Sequence, residues 1–207
     1  MSIYAIKPYF QNLLRPFVKR LAEAGITANQ VTLAALVGSI GVGVLLILFS
    51  HIKTFFLLIP VWMFARMAMN AIDGMLAREF DQKSRLGACL NEISDVISDA
   101  LLYLPFAYIA PFSLLSVGTV IFFASLSEFA GVLGVTIGAS RRYDGPLGKS
   151  DRAFVFGVLG LWVGIGVTLP AWLNWLMFFI AALTTITVMN RVRQALREVP
   201  QTNNSMG

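Results

Sequence analysis

Six apolar runs, each near the ~20 residues needed to cross the hydrocarbon core of a bilayer, leave this chain few ways to fold. They fall at about 27–50, 54–78, 85–110, 112–139, 152–169 and 171–190. In hydrocarbon a backbone N–H or C=O finds no water, so it must be satisfied within a helix or a closed barrel. Runs of this length form helices. Hydrophobic residues make up 57% of the 207 residues, and only 13% are charged; soluble domains carry roughly a quarter. The expected fold is an all-α integral membrane protein with six transmembrane helices.

An interfacial amphipathic helix is expected ahead of them. Ile3, Ile6, Phe10, Leu13, Leu14, Phe17 and Leu21 recur near helical spacing with basic residues between. Gly25 ends that helix, and Thr27 or Asn29 caps the next. The organisation read from this is an interfacial helix over 1–26, a six-helix membrane domain over 27–199 and a disordered tail over 200–207. Cys89 is the single cysteine, which excludes an internal disulfide framework.

Charge orients the bundle. All Lys and Arg except Lys53 and Arg66 lie in the N-terminal segment, the 78–85 turn, the 141–152 loop or the segment after Asn190. Six spans bring these four regions to one side, which the positive-inside rule makes cytoplasmic, together with both termini. Trp172 and Trp175 mark the opposite interface. The net charge of +5 is thus topology and lipid contact, and it does not point to nucleic acid.

A spaced constellation of polar and small residues interrupts this apolar sequence: Asn70, Asp73, Gly74, Ala77, Arg78, Gly87, Asn91 and Asp95. Such groups at membrane depth are costly and need a partner or a task. The second and third helices form a hairpin turning near Asp81–Gln82. Residues equally far from the turn lie at equal depth. Asp73 then faces Asn91, Asn70 faces Asp95, and Arg66 faces Asp99. The first two rungs offer carboxylate and amide oxygens, the donors that Mg²⁺ and Mn²⁺ prefer. Gly74, Ala77 and Gly87 leave room for a ligand, and Arg78 supplies a cation suited to a diphosphate. Arg66 and Asp99 are read as a structural ion pair. Glu128 stands alone in the fourth span, read as a protonated or water-facing carboxyl, with substrate contact as the alternative.

This constellation resembles the signature of the CDP-alcohol phosphatidyltransferases, Asp-x2-Asp-Gly-x2-Ala-Arg-x8–9-Gly-x3-Asp-x3-Asp. Here it stands as Asn70-x2-Asp73-Gly74-x2-Ala77-Arg78-x8-Gly87-x3-Asn91-x3-Asp95. The opening of the first span, with Thr27, Asn29 and Thr32, is similar too, and a bacterial inner-membrane branch of the family offers the nearest likeness. The resemblance implies displacement of CMP from a CDP-alcohol, commonly CDP-diacylglycerol, by an acceptor alcohol that the sequence does not identify. It implies Mg²⁺ or Mn²⁺ held by Asn70, Asp73, Asn91 and Asp95, with Asp95 as general base. It also implies a nucleotide and diphosphate pocket lined by Asn29, Thr32, Gly74, Ala77, Arg78 and Gly87, a homodimer among membrane lipids, and an active site on the cytoplasmic face of the inner membrane.

Two positions depart from that pattern. Asn70 and Asn91 replace the first and third aspartates, halving the formal charge of the set. One tight divalent ion is expected, or two bound more weakly than usual. The 141–152 loop clusters Arg141, Arg142, Lys149 and Arg152, a candidate site for an acceptor phosphate or a lipid headgroup. The alternative to an enzyme is a degenerate, non-catalytic protein that binds a CDP-lipid or a partner. A transporter is disfavoured, because no repeat or broken-helix pair is visible.

Overall fold

The structure is a computed structural model that describes residues 3–199, with side-chain surroundings from Tyr9 onward. The 200–207 tail and the side chains of Ile3 and Ile6 lie outside the described residues. Among the described residues the chain is all-helical: α1 (Ile3–Glu23), α2 (Ala28–Leu48), α3 (Leu58–Glu79), α4 (Arg85–Tyr103), α5 (Leu114–Thr136), α6 (Lys149–Gly164) and α7 (Leu173–Glu198). Short 3-10 turns at Lys53–Leu57 and Leu104–Tyr108 precede α3 and follow α4.

Four stretches are long and apolar enough to cross a membrane: Ala28–Leu48, Lys53–Glu79, Leu114–Thr136 and Leu173–Glu198. The other two expected spans are helical but differ in kind. α4 carries Arg85, Glu92, Asp95 and Asp99, and α6 has only 16 residues. The last helix also runs further than expected, past Asn190 to Glu198, so Arg191 is a helical residue.

Local chemistry sets the helix ends. α1 stops at Gly25, whose φ of +76° suits a residue without a Cβ. The Gly25 N–H donates to the Ala22 carbonyl and the Ile26 N–H to the Leu21 carbonyl, a Schellman closure. Thr27 caps α2 in a reciprocal box with Gln30. The Gln82 side chain, from the α3–α4 turn, accepts the Ala28 N–H at 2.7 Å. The turn of the hairpin is thereby tied to the start of α2.

The chain divides into two compact units. The first comprises Met1–Pro105 and Gly157–Val167, the second Phe106–Phe156 and Thr168–Gly207. In the first, Val18 of α1 packs with Ala28 and Val31 of α2 and with Ile72, Met75 and Leu76 of α3. Arg15 pairs with Glu79 at 3.1 Å. The apolar side of α1 is therefore divided: Leu14, Val18 and Leu21 face this cluster, while Tyr9, Leu13 and Phe17 are exposed. In the second unit α5 lies along α7, and a Cβ at Gly134 would stand 3.3 Å from the Ala195 methyl.

α2 and α4 come close at Gly43, where a Cβ would stand 2.5 Å from the Leu101 carbonyl oxygen. A backbone atom cannot swing aside, so Gly43→Ala should part the helices and cost about 1–3 kcal/mol. Gly41, on the same helix, has nothing within 4 Å of its Cβ position. Gly41→Ala should be neutral or favourable by up to ~1 kcal/mol. Thermal unfolding in detergent compares the two; equal midpoints would disprove the close approach.

Candidate active site

The site is assembled where α2, α3 and α4 meet in the first unit. On α2, the Thr32 hydroxyl donates to Asp73 Oδ2 at 2.8 Å, and both residues are buried. This fixes one carboxylate of the constellation to the first span. On α4, Ser84 caps the helix by accepting the Gly87 N–H at 2.9 Å. A Cβ at Gly87 would stand 2.7 Å from the Asn29 side-chain oxygen, so the absence of a side chain at Gly87 lets α2 reach this turn. At Gly74 a Cβ would stand 3.1 Å from the guanidinium of Arg78. Arg78 thus folds back along α3 over the glycine.

Two of the three expected rungs are joined by direct hydrogen bonds. Asn70 Nδ2 donates to Asp95 Oδ1 at 3.3 Å, and Arg66 Nη1 donates to Asp99 Oδ1 at 2.5 Å. Arg66 also does something that depth alone did not indicate. Its Nη2 donates to Asp95 Oδ1 at 3.0 Å and to the Asp95 main-chain oxygen at 3.1 Å. Asp95 and Asp99 are one helical turn apart on one face, so a single planar guanidinium fork reaches both. The structural ion pair is therefore a triad that includes the expected general base. Asn91 lies one turn before Asp95, half-buried. Ala77 packs on the cluster around Val18 and Met75.

The donor set fits a divalent cation in kind. Two carboxylates and two side-chain amides on facing helices are hard oxygen donors of the type Mg²⁺ and Mn²⁺ take. No group of three or more His, Cys, Asp or Glu suited to a metal occurs among the described residues. The two asparagines are the reason: they supply oxygen without charge.

A second cluster lies in the second unit, and it corrects the reading of Glu128 as solitary. Glu128 Oε1 accepts from Arg152 Nη2 at 2.9 Å, and Oε2 accepts from Arg141 Nη2 at 3.2 Å. Arg191 Nη1 is 3.4 Å from Oε2 and also donates to the Ser127 carbonyl. Glu128 is buried among three guanidiniums, so it is paired and not water-facing. Arg152 is 0% exposed and Arg191 1%. Charge distribution alone places Arg191 among the cations after Asn190. The signal available was its place four residues after Thr187 and seven after Thr184, all buried on one face of α7.

The other loop cations are also engaged. Arg142 donates to Asp144 at 2.8 Å and bonds Glu198. The hydrogen bond from Arg142 holds the Asp144 carboxyl below its ordinary range, and the same bond raises Arg142. Arg141 lies 4.3 Å from the centre of the Tyr143 ring. Lys149 opens α6, whose preceding Gly148 N–H is taken by Asp151 at 2.8 Å.

Comparison with known proteins places this architecture. The chain is 48% identical over 199 residues to the inner membrane protein YnbA of Escherichia coli, covering 95% of this chain and 97% of that one. It is 28% identical to the phosphatidylinositol phosphate synthase of Corynebacterium glutamicum, covering 94% and 89% of the two chains. The fold matches the crystal structure of Mycobacterium tuberculosis phosphatidylinositol phosphate synthase with CDP-DAG bound, with a TM-score of 0.74 at 20% identity over 93% of this chain and 97% of that one. A second structure of that protein, in complex with manganese and citrate, matches with a TM-score of 0.73 at 19% identity over 93% and 92%. The profile of the CDP-alcohol phosphatidyltransferases matches residues 25–187, and the chain belongs to that family.

Proposed function

We propose that this protein transfers a phospho-alcohol group from a CDP-alcohol to an acceptor hydroxyl in phospholipid synthesis, releasing CMP. The observation that carries the reading is the joining of Thr32, Asn70, Asp73 and Asp95 across α2, α3 and α4 in a chain of this family. CDP-diacylglycerol is the favoured donor. A relative of the same fold is described with CDP-DAG bound.

Asp95 takes the proton of the acceptor hydroxyl, with Asn70 and Arg66 holding its carboxylate in place. The acceptor oxygen bonds to the phosphorus that bears the alcohol. The bond from that phosphorus to the bridging oxygen breaks, and CMP leaves with the bond's electron pair. Arg78, folded over Gly74, holds the diphosphate. Asn29, Thr32, Ala77 and Gly87 shape the nucleotide side. Mg²⁺ or Mn²⁺, held by Asp73 and Asp95 with the amide oxygens of Asn70 and Asn91, supplies charge neutralisation at the diphosphate when bound. In the second unit Arg141, Arg142 and Lys149 offer cations to a headgroup or acceptor anion, whereas Arg152 is 0% exposed and spent on Glu128. Three guanidiniums around the single carboxylate of Glu128 leave that cluster a cationic surplus.

We read the whole as six membrane spans over 27–199 behind an interfacial α1, forming a homodimer among membrane lipids. The exposed Tyr9, Leu13 and Phe17 are what an interfacial helix offers to lipid. The site and both termini face the cytoplasm.

The test is CMP release by purified protein in detergent, given CDP-diacylglycerol, Mg²⁺ or Mn²⁺ and pooled alcohols. Release that needs metal and acceptor supports a transferase. The asparagines at 70 and 91 support a second reading, a non-catalytic CDP-lipid-binding protein. On that reading the wild type releases no CMP, whereas Asn70→Asp with Asn91→Asp gains release. An enzyme adapted to its amides loses activity in the same double variant.

A further inference from the structure

We propose that Arg66 is a built-in counter-cation of the Asp95 carboxylate and limits the centre to one divalent ion. The inference rests on the reading of this centre as a metal site.

Arg66 is 5% exposed and lies on α3, one turn before Asn70. Its guanidinium spans one turn of α4. Nη1 bonds the Asp99 carboxylate, while Nη2 bonds both the carboxylate and the main-chain oxygen of Asp95. The two bonds to Asp95 fix the side chain relative to its own backbone. Asn70 Nδ2 donates to the same Oδ1 at 3.3 Å. Two N–H donors therefore converge on that one oxygen. A carboxylate that bridges two cations in the common two-oxygen mode presents one oxygen to each. With Oδ1 taking N–H groups from Arg66 and Asn70, Asp95 has one oxygen left to offer a cation.

Charge leads to the same conclusion. Asp73, Asp95 and Asp99 bring three negative charges, and Arg66 cancels one. Asn70 and Asn91 add oxygens but no charge. The remaining −2 is what one divalent cation neutralises. A second would sit against a fixed guanidinium in a poorly solvated site, where like charges repel strongly. Asp99 extends the device. It anchors the far arm of the fork, so that Arg66 stays charged and aimed at Asp95 without depending on any bound ligand. Arg66 is thus a positioning residue, acting on the substrate through Asp95.

The experiment is Mn²⁺ binding to the purified full chain in detergent, followed by calorimetry and by the electron paramagnetic resonance signal of free Mn²⁺. Wild type should take one ion per chain. Arg66→Gln should bind a second ion, or bind the first at least tenfold more tightly. Removal of one buried cation leaves two carboxylates facing each other and endangers the fold. The double variant Arg66→Gln with Asp99→Asn removes one charge of each sign and keeps the centre at −2, but it frees Asp95 Oδ1 from the guanidinium, so it should bind one ion at least tenfold more tightly than wild type. Arg66→Lys keeps the charge and should retain wild-type stoichiometry. Size exclusion and thermal unfolding confirm that each variant is folded. If folded double variant and wild type bind one ion with equal affinity, Arg66 is not the counter-cation and the inference fails while the metal reading stands. Two ions in wild type overturn the inference in the same way. If neither protein binds Mn²⁺, the metal reading fails, and the inference with it.

Discussion

Asp95→Ala should lower CMP release by about 10²–10⁴-fold, the usual worth of a positioned general base, and leave the helices folded. Both halves of that expectation come from the triad. The Asp95 carboxylate receives Arg66 and Asn70 on one oxygen, so its orientation is set before any substrate arrives. Truncation to Ala removes the carboxylate bonded to Asn70 and the proton acceptor together. Arg66 nevertheless keeps Asp99 at 2.5 Å, so no buried charge is left without a partner, which is the usual cause of large losses of stability. Asp95 is also the most accessible member, its side chain 16% exposed against 6% for Asp99. The measurement is a rate of CMP release for Asp95→Ala and Asp95→Asn beside an unfolding midpoint for each. Turnover near the wild-type rate in either variant would remove Asp95 from the chemistry. A collapsed midpoint would assign it a structural role instead.

Much of this site was legible because a helical hairpin turns sequence distance into depth. Equal spacing about the turn at Asp81–Gln82 pairs Asn70 with Asp95 and Arg66 with Asp99, and both pairs are hydrogen-bonded. Gly74 and Gly87, expected to leave room for a ligand, stand where the chain's own Arg78 and Asn29 come close, an approach that spacing does not specify. What spacing does not encode is the orientation of a forked side chain. Arg66 reaches Asp95 as well as Asp99 because its two terminal nitrogens diverge, a matter of rotamer and not of register. The fold was read best where hydropathy was strongest, in α2, α3, α5 and α7. It was read least well at the end of α7, where the apolar run stops near Asn190 but the helix continues to Glu198. There the helix is held by Ala195 packed beside Gly134 and by Arg191 against Ser127 and Glu128, contacts that hydropathy does not register.

Glu128→Ala should be the more damaging change to the fold, with a loss of about 3–5 kcal/mol, the cost of removing one partner from a buried ion pair. Three guanidiniums converge on this carboxylate, at 2.9 Å for Arg152, 3.2 Å for Arg141 and 3.4 Å for Arg191. They come from α5's own following loop, from the start of α6 and from α7, so one side chain ties three segments of the second unit. Without it, cations that are 0% and 1% exposed at Arg152 and Arg191 repel one another in a place that water reaches poorly. Glu128→Gln separates charge from hydrogen bonding. It keeps one acceptor oxygen but turns an amide N–H₂ toward a guanidinium, so its loss should be smaller than that of Ala but still clear. A compensating change gives the sharper test. Glu128→Ala combined with Arg191→Met removes one charge of each sign and fills part of the space with a flexible apolar side chain. It should recover at least half of the lost stability, read as the unfolding midpoint in detergent. If Glu128→Ala unfolds at the wild-type temperature, the cluster does not hold the second unit together. If the double variant is no better than the single, the damage is a packing defect and the electrostatic account is wrong.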